Sequence, residues 1–111
     1  MYSYKLFNNI AQEGQDVLSN GNYVVDENNP DAVILRSFQL DKKALNKNLK
    51  CIARAGAGTN NIPVEEATEK GIVVFNTPGA NSNAVKELVL CGMLLASRGI
   101  IQANAFAKSL A

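Results

Sequence analysis

Residues that could bind an anion, through polar side chains or backbone N–H groups, follow three of the strands that the sequence predicts. They are Arg36 and Ser37 after the third strand, Arg54 with Ala55, Gly56, Ala57 and Gly58 after the fourth, and Asn76 and Thr77 after the fifth. Guanidinium groups, hydroxyls and exposed peptide N–H groups are donors that suit a carboxylate or a phosphate. Because the carboxyl ends of parallel strands meet at one edge of a sheet, these residues predict a single anion-binding site.

Each of these residues also has an interpretation that needs no ligand. Arg36 could be a solvated surface charge, and Asn76 and Thr77 could close a turn. The two glycines of the loop after the fourth strand either let the backbone approach a carboxylate or relieve a tight turn. Both interpretations stay open at the level of the sequence.

Other chemistries are excluded by what stands at the key positions. The chain has no histidine, which removes the commonest general base and metal ligand, and no metal site is predicted. The run Gly56-Ala57-Gly58 is not a dinucleotide-binding fingerprint, because Asn61 replaces the third glycine and no acidic residue follows the next strand. A phosphorelay receiver is excluded because Asn8, Asn9 and Arg36 stand where its acidic residues belong.

The elements that must position the site alternate between short β-branched runs and helical stretches. This order predicts an α/β fold, a flavodoxin-like open parallel sheet of about five strands flanked by helices. The predicted strands are 4–8, 23–25, 32–35, 51–53 and 72–75. The predicted helices are 10–18, a short one capped by Asp41, 63–70, and a last one that begins at 81–83 and ends at 98. Residues 102–111 carry no clear pattern.

Composition bounds the class of protein. With 111 residues, 47% of them hydrophobic, the chain suits one folded domain. A net charge of +1 gives no field for nucleic acid or an anionic membrane, so neither is expected as a partner. Cys51 and Cys91 form no C-x-x-C pair, and no secretion signal begins the chain, so we expect reduced thiols and a cytoplasmic location. The apolar stretch 88–96 is too short to span a bilayer.

Four segments resemble one known family. They are Ile-Leu-Arg-Ser at 34–37, Arg-Ala-Gly-Ala-Gly-Thr-Asn-Asn at 54–61, Ala-Thr-Glu-Lys-Gly-Ile-Val-Val-Phe-Asn-Thr-Pro-Gly at 67–79 and Val-Lys-Glu-Leu at 85–88. Over residues 30–100 the chain resembles the D-isomer-specific 2-hydroxyacid dehydrogenases. Within that family the resemblance is greatest to members that act on 3-phosphoglycerate.

The resemblance implies a domain organisation and a cofactor. Residues 1–98 would be the N-terminal portion of a substrate-binding domain that includes a connecting helix at 83–98. Residues 99–111 would begin a linker toward a Rossmann domain that binds most of the NAD. The family's catalytic arginine, glutamate and histidine would lie outside this chain, so the chain alone is expected to be inactive. The full-length protein is expected to be a homo-oligomer.

The resemblance also implies roles for the residues at the strand ends. Arg36, Ser37 and Arg54 would hold the phosphate or carboxylate of a small anionic substrate, and the backbone of Gly56 to Gly58 would bind the carboxylate. Ala55 would belong to the same substrate-binding loop. Asn76 would line the cleft, and Thr77 would contact the cofactor.

Two alternatives from other classes stay open. The chain could be a freestanding module that binds small anions or regulates, without catalysis. It could also self-associate through the apolar helical stretch 88–96.

Overall fold

A five-stranded parallel sheet forms the larger part of the computed structural model, which describes all 111 residues. The strands are β1 Tyr2–Leu6, β2 Tyr23–Val25, β3 Ala32–Leu35, β4 Cys51–Arg54 and β5 Val73–Phe75. Their order is β2-β1-β3-β4-β5, and every neighbouring pair is parallel. The prediction of a flavodoxin-like α/β fold is therefore confirmed.

The helices connect these strands and continue beyond the sheet. They are α1 Gln12–Asn20, a 3₁₀ helix at Lys42–Ala44, α2 Val64–Glu69, α3 Ser82–Arg98 and α4 Ile100–Ser109. The chain divides into two compact units, Met1–Pro78 and Gly79–Ala111. No helix combines the length and the apolar composition that a membrane span requires.

The core of the first unit lies under strands β3 and β4. Leu35 and Ile52 are fully buried, and they are joined by residues from the following loops and from α2. The register pairs Leu35 with Arg54, so the chain leaves β3 and β4 side by side. The pairing of these buried strands therefore places the loops that follow them next to each other.

Local signals fix several boundaries where the sequence predicts them. The carboxylate of Asp41 accepts a hydrogen bond of 2.8 Å from the Lys43 N–H and caps the 3₁₀ helix. Pro63 directly precedes α2. Gly71 and Gly99 take positive φ angles of 71° and 59°, just beyond α2 and at the end of α3. Glycine adopts this left-handed conformation at little cost, which explains why these helices end there.

The first strand and the first helix differ from the prediction. The strand ends at Leu6 rather than at residue 8, because Asn8 has a φ of 72° that breaks the extended conformation. Helix α1 begins at Gln12, and none of its residues is buried. Its apolar side chains, such as Val17 at 72% exposure, do not contribute to the core.

The second unit consists of α3 and α4. Helix α3 matches the prediction closely. Residues 100–109 form α4, which includes most of the stretch 102–111 where the sequence shows no clear pattern. Many of the large apolar side chains of this unit are exposed, including Leu88, Met93 and Phe106. Within the chain this unit is therefore a pair of helices without a buried core of its own.

Candidate functional site

Three strand ends meet at the carboxyl edge of the sheet, as the topology predicts. The Ala55 N–H donates to the Leu35 carbonyl at 2.8 Å, which continues the pairing of β3 and β4 by one residue. The Thr77 N–H donates to the Gly56 carbonyl at 2.9 Å, which joins the chain after β5 to the same loop. The structure thus brings together the residues that the sequence singled out after these strands.

Arg54 is a half-buried cation without an acidic partner. Its Nη1 donates to the Gly58 carbonyl at 2.5 Å and to Asn60 Oδ1 at 3.2 Å. Its Nε is buried without a hydrogen-bond partner, and its Nη2 donates to no atom of the chain. These two bonds hold the guanidinium in one orientation. Because no carboxylate pairs with it, its charge stays uncompensated.

Gly56 and Gly58 provide the space that this arginine occupies. A Cβ at position 56 would lie 3.0 Å from Arg54 Nε, and one at position 58 would lie 3.3 Å from Arg54 Nη1. Neither glycine has a positive φ angle. The need for glycine here is therefore close approach of the arginine side chain, and not an unusual backbone conformation.

The same loop presents unused peptide donors. The N–H groups of Gly56, Ala57 and Gly58 donate to no atom of the chain, whereas the N–H of Ala55 is used in the sheet. Consecutive peptide N–H groups beside a cation form a surface suited to an oxyanion. The glycine loop and Arg54 together can therefore bind a carboxylate or a phosphate group.

Asn76 and Thr77 support this loop from the end of β5. Asn76 Nδ2 donates to the Ala57 carbonyl at 2.7 Å. Thr77 Oγ1 lies 3.5 Å from the Arg54 carbonyl oxygen, at the limit for a hydrogen bond. Both residues are exposed. In this structure their contacts fix the position of the loop, in addition to any role toward a ligand.

Arg36 and Ser37 extend the same edge from β3. Both are exposed. Arg36 Nη1 donates to the Asn9 carbonyl at 3.2 Å, and no carboxylate pairs with Arg36. Neither the N–H nor the hydroxyl of Ser37 makes a hydrogen bond within the chain. A second uncompensated guanidinium and a free hydroxyl therefore lie on this edge.

Sequence reasoning missed two asparagines that hold the Arg36–Phe38 segment. Asn8 accepts hydrogen bonds from the N–H groups of Arg36 and Phe38, and Asn61 donates to the carbonyl groups of the same two residues. An asparagine at the last position of the predicted first strand was a possible signal for Asn8. Asn61 was considered only as the residue that replaces a third glycine, so its own amide was overlooked.

A depression of about 600 Å³ lies along the loops that follow β3 and β4. It is lined by Gln39, Leu40, Asp41, Lys42, Lys43, Asn60, Ile62, Pro63 and Glu66. Asn60 also accepts a hydrogen bond from Arg54, but none of the predicted site residues lines the depression. An ion pair between Lys42 and Glu66 neutralises two of its charges.

Paired charges occupy the opposite, amino-terminal edge of the sheet. Lys50 Nζ and the N–H and hydroxyl of Ser3 donate to the carboxylate of Asp31. Lys50 foremost, then Ser3, lowers the pKa of Asp31 to about 2. Asp31 in turn raises the pKa of Lys50.

Burial raises the pKa of the Cys51 thiol, and both cysteines of the chain are free.

The loop after β4 does not have the geometry of a dinucleotide-binding loop. The loop after β4 runs through Pro63 before α2 begins, and α2 has only six residues. Asn61, at the place of a third glycine, is buried, and its amide nitrogen is already bonded. The chain therefore lacks the strand–glycine loop–helix geometry that binds a pyrophosphate. No group of three or more His, Cys, Asp or Glu residues is placed to hold a metal ion.

Comparison with known proteins gives a consistent result. Residues 6–108 match the family model described as "D-isomer specific 2-hydroxyacid dehydrogenase, catalytic domain". The chain is 57% identical over 60 residues to D-3-phosphoglycerate dehydrogenase of Methanocaldococcus jannaschii, covering 54% of this chain and 12% of the relative. It is 53% identical over 62 residues to hydroxypyruvate reductase of Thermotoga maritima, covering 56% of this chain and 20% of the relative.

A solved structure agrees with these relatives. The NAD⁺-bound 3-phosphoglycerate dehydrogenase of Entamoeba histolytica superposes with a TM-score of 0.72 at 28% identity, covering 85% of this chain and 38% of that one. The chain thus spans only a minor part of the proteins that it matches. The family match nevertheless extends over nearly the whole chain, and the chain belongs to the D-isomer specific 2-hydroxyacid dehydrogenase family.

Proposed function

We propose that this chain is the substrate-binding portion of an NAD-dependent D-3-phosphoglycerate dehydrogenase. Such an enzyme oxidises 3-phosphoglycerate to 3-phosphohydroxypyruvate at the entry to serine biosynthesis. Two comparisons support this substrate, since the relative in Methanocaldococcus jannaschii and the structure from Entamoeba histolytica both carry that activity in their names. The domain boundaries, with residues 1–98 as the substrate domain and its connecting helix, form part of the same proposal.

The observation that carries the proposal is the uncompensated guanidinium of Arg54 beside three unused peptide N–H groups. In the proposed complex the N–H groups of Gly56, Ala57 and Gly58 hold the carboxylate, and Arg54 binds an anionic oxygen through Nη2. Arg36 and Ser37 hold the second anionic group of the substrate, and Asn76 lines the cleft. A hydrogen bond to a charged group contributes about 1.5–3 kcal/mol, so a few of them support binding in the micromolar to millimolar range.

The contribution of this chain to the reaction is orientation. Fixing both anionic ends of a small acid limits the directions in which its hydroxyl-bearing carbon can point, which is a proximity effect. NAD is the proposed cofactor of the longer protein and would be bound mainly by residues outside this chain. Thr77 is the proposed contact from this side. The longer protein is further proposed to be a cytoplasmic homo-oligomer, which sedimentation and cell fractionation would test.

Isothermal titration with 3-phosphoglycerate tests the site. Arg54→Ala is expected to weaken binding by about tenfold or more, since a charge-assisted contact is lost. Arg98→Ala is the matched control, because Arg98 is an exposed arginine on α3 and is not one of the proposed site residues. An unchanged affinity in Arg54→Ala, or no binding by the wild-type chain, would show that the proposed site is wrong.

The choice of substrate needs its own comparison. Glyoxylate and hydroxypyruvate lack the phosphate, so they are expected to bind more weakly than 3-phosphoglycerate if Arg36 and Ser37 hold that group. Tighter binding of the unphosphorylated acids would instead favour a reductase like the relative from Thermotoga maritima. The chain alone is expected to form no NADH from 3-phosphoglycerate and NAD. Measurable NADH formation by purified chain would contradict the assignment of catalysis to residues elsewhere.

A further inference from the structure

We propose that Asn8 and Asn61 are positioning residues that together hold Arg36 and Ser37 in the conformation that binds the anion. This inference rests on the proposed anion site. We call the arrangement the asparagine clamp: the side chains of Asn8 and Asn61 with the backbone of Arg36–Phe38 between them.

Asn8 supplies the acceptor half of the clamp. Its Oδ1 accepts from the Arg36 N–H at 3.1 Å and from the Phe38 N–H at 2.8 Å. Asn8 is the only residue other than glycine with a positive φ angle, 72°. The neighbouring Phe7 ring stacks on Phe38, with 4.3 Å between the ring centroids. The end of β1 is therefore joined to the loop after β3 by hydrogen bonds and by apolar packing.

Asn61 supplies the donor half. Its Nδ2 donates to the Arg36 carbonyl at 3.0 Å and to the Phe38 carbonyl at 2.7 Å. The Leu40 N–H donates to the Asn61 carbonyl at 2.9 Å, which adds a backbone connection between the same two loops. Asn61 is only 5% exposed. It follows the glycine loop, so the clamp joins the two loops that carry the anion donors.

The clamp satisfies all four backbone groups of Arg36 and Phe38 and leaves Ser37 between them with its N–H and hydroxyl unused. Four hydrogen bonds with partners from two distant parts of the chain fix a short exposed segment. The Arg36 side chain is also anchored, through its bond to the Asn9 carbonyl. The donors of Ser37 are therefore preorganised, which lowers the entropy lost when a ligand binds.

Two features of the clamp are energetically unfavourable. A positive φ angle is unfavourable for a residue with a side chain, although asparagine tolerates it better than most. Asn61 Oδ1 is buried without a hydrogen-bond partner, and burying such a group is unfavourable. Two unfavourable features in the supports of one segment indicate that the position of this segment matters for function, because such features concentrate at functional sites.

Amide hydrogen exchange tests the clamp directly, without a ligand. The Arg36 and Phe38 amides are expected to be protected in the wild-type chain although both residues are exposed. Asn8→Gly removes the acceptor while keeping the positive φ angle unstrained, and it is expected to abolish this protection. Asn8→Asp keeps an oxygen acceptor and is expected to restore it. Fast exchange of both amides in the wild-type chain would overturn the clamp.

Titration with 3-phosphoglycerate tests the positioning role. Asn8→Gly and Asn61→Asp are each expected to raise the Kd about five- to tenfold, the second because a carboxylate cannot donate to the two carbonyl groups. In Asn46→Ala, the matched control, the lost side chain accepts from the N–H groups of Asn48 and Leu49 at the amino end of β4. This control is expected to change the Kd by less than twofold, even if its Tm falls as far as that of Asn8→Gly or Asn61→Asp.

The outcomes separate this inference from the proposed function. If the wild-type chain binds 3-phosphoglycerate and Asn8→Gly binds equally well, the positioning role is wrong and the anion site stands. If the wild-type chain does not bind, the anion site is wrong and the positioning role falls with it. If Asn61→Asp does not fold, Asn8→Gly decides, because Asn8 is exposed and its replacement leaves no cavity.

Discussion

At the amino edge of the sheet the charged groups are paired, whereas at the carboxyl edge the arginines have no acidic partner. Asp31 bonds to Lys50 and Ser3, which ties together the beginnings of β1, β3 and β4. Arg36 and Arg54, which follow β3 and β4 on the other edge, donate only to carbonyl and amide oxygens.

We infer from this difference that the amino edge contributes to stability, whereas the carboxyl edge keeps its charge for the proposed anion. A carboxylate beside Arg54 would neutralise it and compete with an anionic ligand. Neutral acceptors such as the Gly58 carbonyl orient the guanidinium without neutralising it. At the amino edge the charges of Lys50 and Asp31 compensate one another. Substitutions at the two edges should accordingly affect different measurements.

The largest effect is expected from reversing one charge at each edge. Arg54→Glu places a carboxylate at the proposed anion site and should weaken 3-phosphoglycerate binding by about a hundredfold or more. Lys50→Glu places a second carboxylate beside Asp31, so it should lower the Tm and change the Kd by less than about twofold. Titration calorimetry of both variants would measure the Kd, and thermal unfolding would measure the Tm. If Lys50→Glu reduced affinity as much as Arg54→Glu, the separation between the edges would be wrong.

The amino edge should also control the stability at acid pH. The pKa of Asp31 in the folded chain is about 2, below its usual value of 3.8, so the unfolded chain binds this proton more readily. The stabilisation is therefore complete above about pH 4 and is lost as the pH falls toward 2. Asp26, whose pKa is lowered by the N–H groups of Asn29 and Asn28, adds to the same trend.

Asp31→Asn is the variant that isolates this contribution. Its Tm should be lower than that of the wild-type chain at pH 7 and should fall less steeply between pH 4 and pH 2. Arg36→Ala, at the other edge, should keep the wild-type slope. A wild-type slope in Asp31→Asn would show that other carboxylates carry the acid sensitivity.

A smaller effect is expected at the glycine loop. Gly56→Ala places a Cβ 3.0 Å from Arg54 Nε, and the flexible arginine side chain can shift to relieve the contact. The Kd for 3-phosphoglycerate should therefore rise about three- to tenfold while the Tm changes little. Gly14→Ala in α1 is the control, since its Cβ meets only Ile10 at 3.8 Å. That change should raise stability by about 0.5–1 kcal/mol and leave the affinity unchanged.

Sequence reasoning predicted the parallel sheet and the location of Arg54 because both follow from local patterns and one topological rule. Asn8 and Asn61 were missed, because their partners are backbone groups of residues that lie 23 to 30 positions away along the chain. Nothing in a local pattern marks such partners. Helix α4 was missed because its apolar residues lack a clear helical period and Gly99 before it gives no side-chain cap.

The smallest effect concerns Cys51, at the amino end of the strand that delivers Arg54. Burial, followed by the charge of Asp31, raises the pKa of this thiol, so little thiolate forms at neutral pH. Iodoacetamide at pH 8 should therefore modify the exposed Cys91 well before Cys51, as peptide mass mapping would show. In a Cys91→Ser background, Asp31→Asn should speed the labelling of Cys51 slightly, because the negative charge is removed. Saturating 3-phosphoglycerate should not change that rate, since the proposed site lies at the other edge. Protection of Cys51 by 3-phosphoglycerate would contradict the proposal that binding is confined to the carboxyl edge.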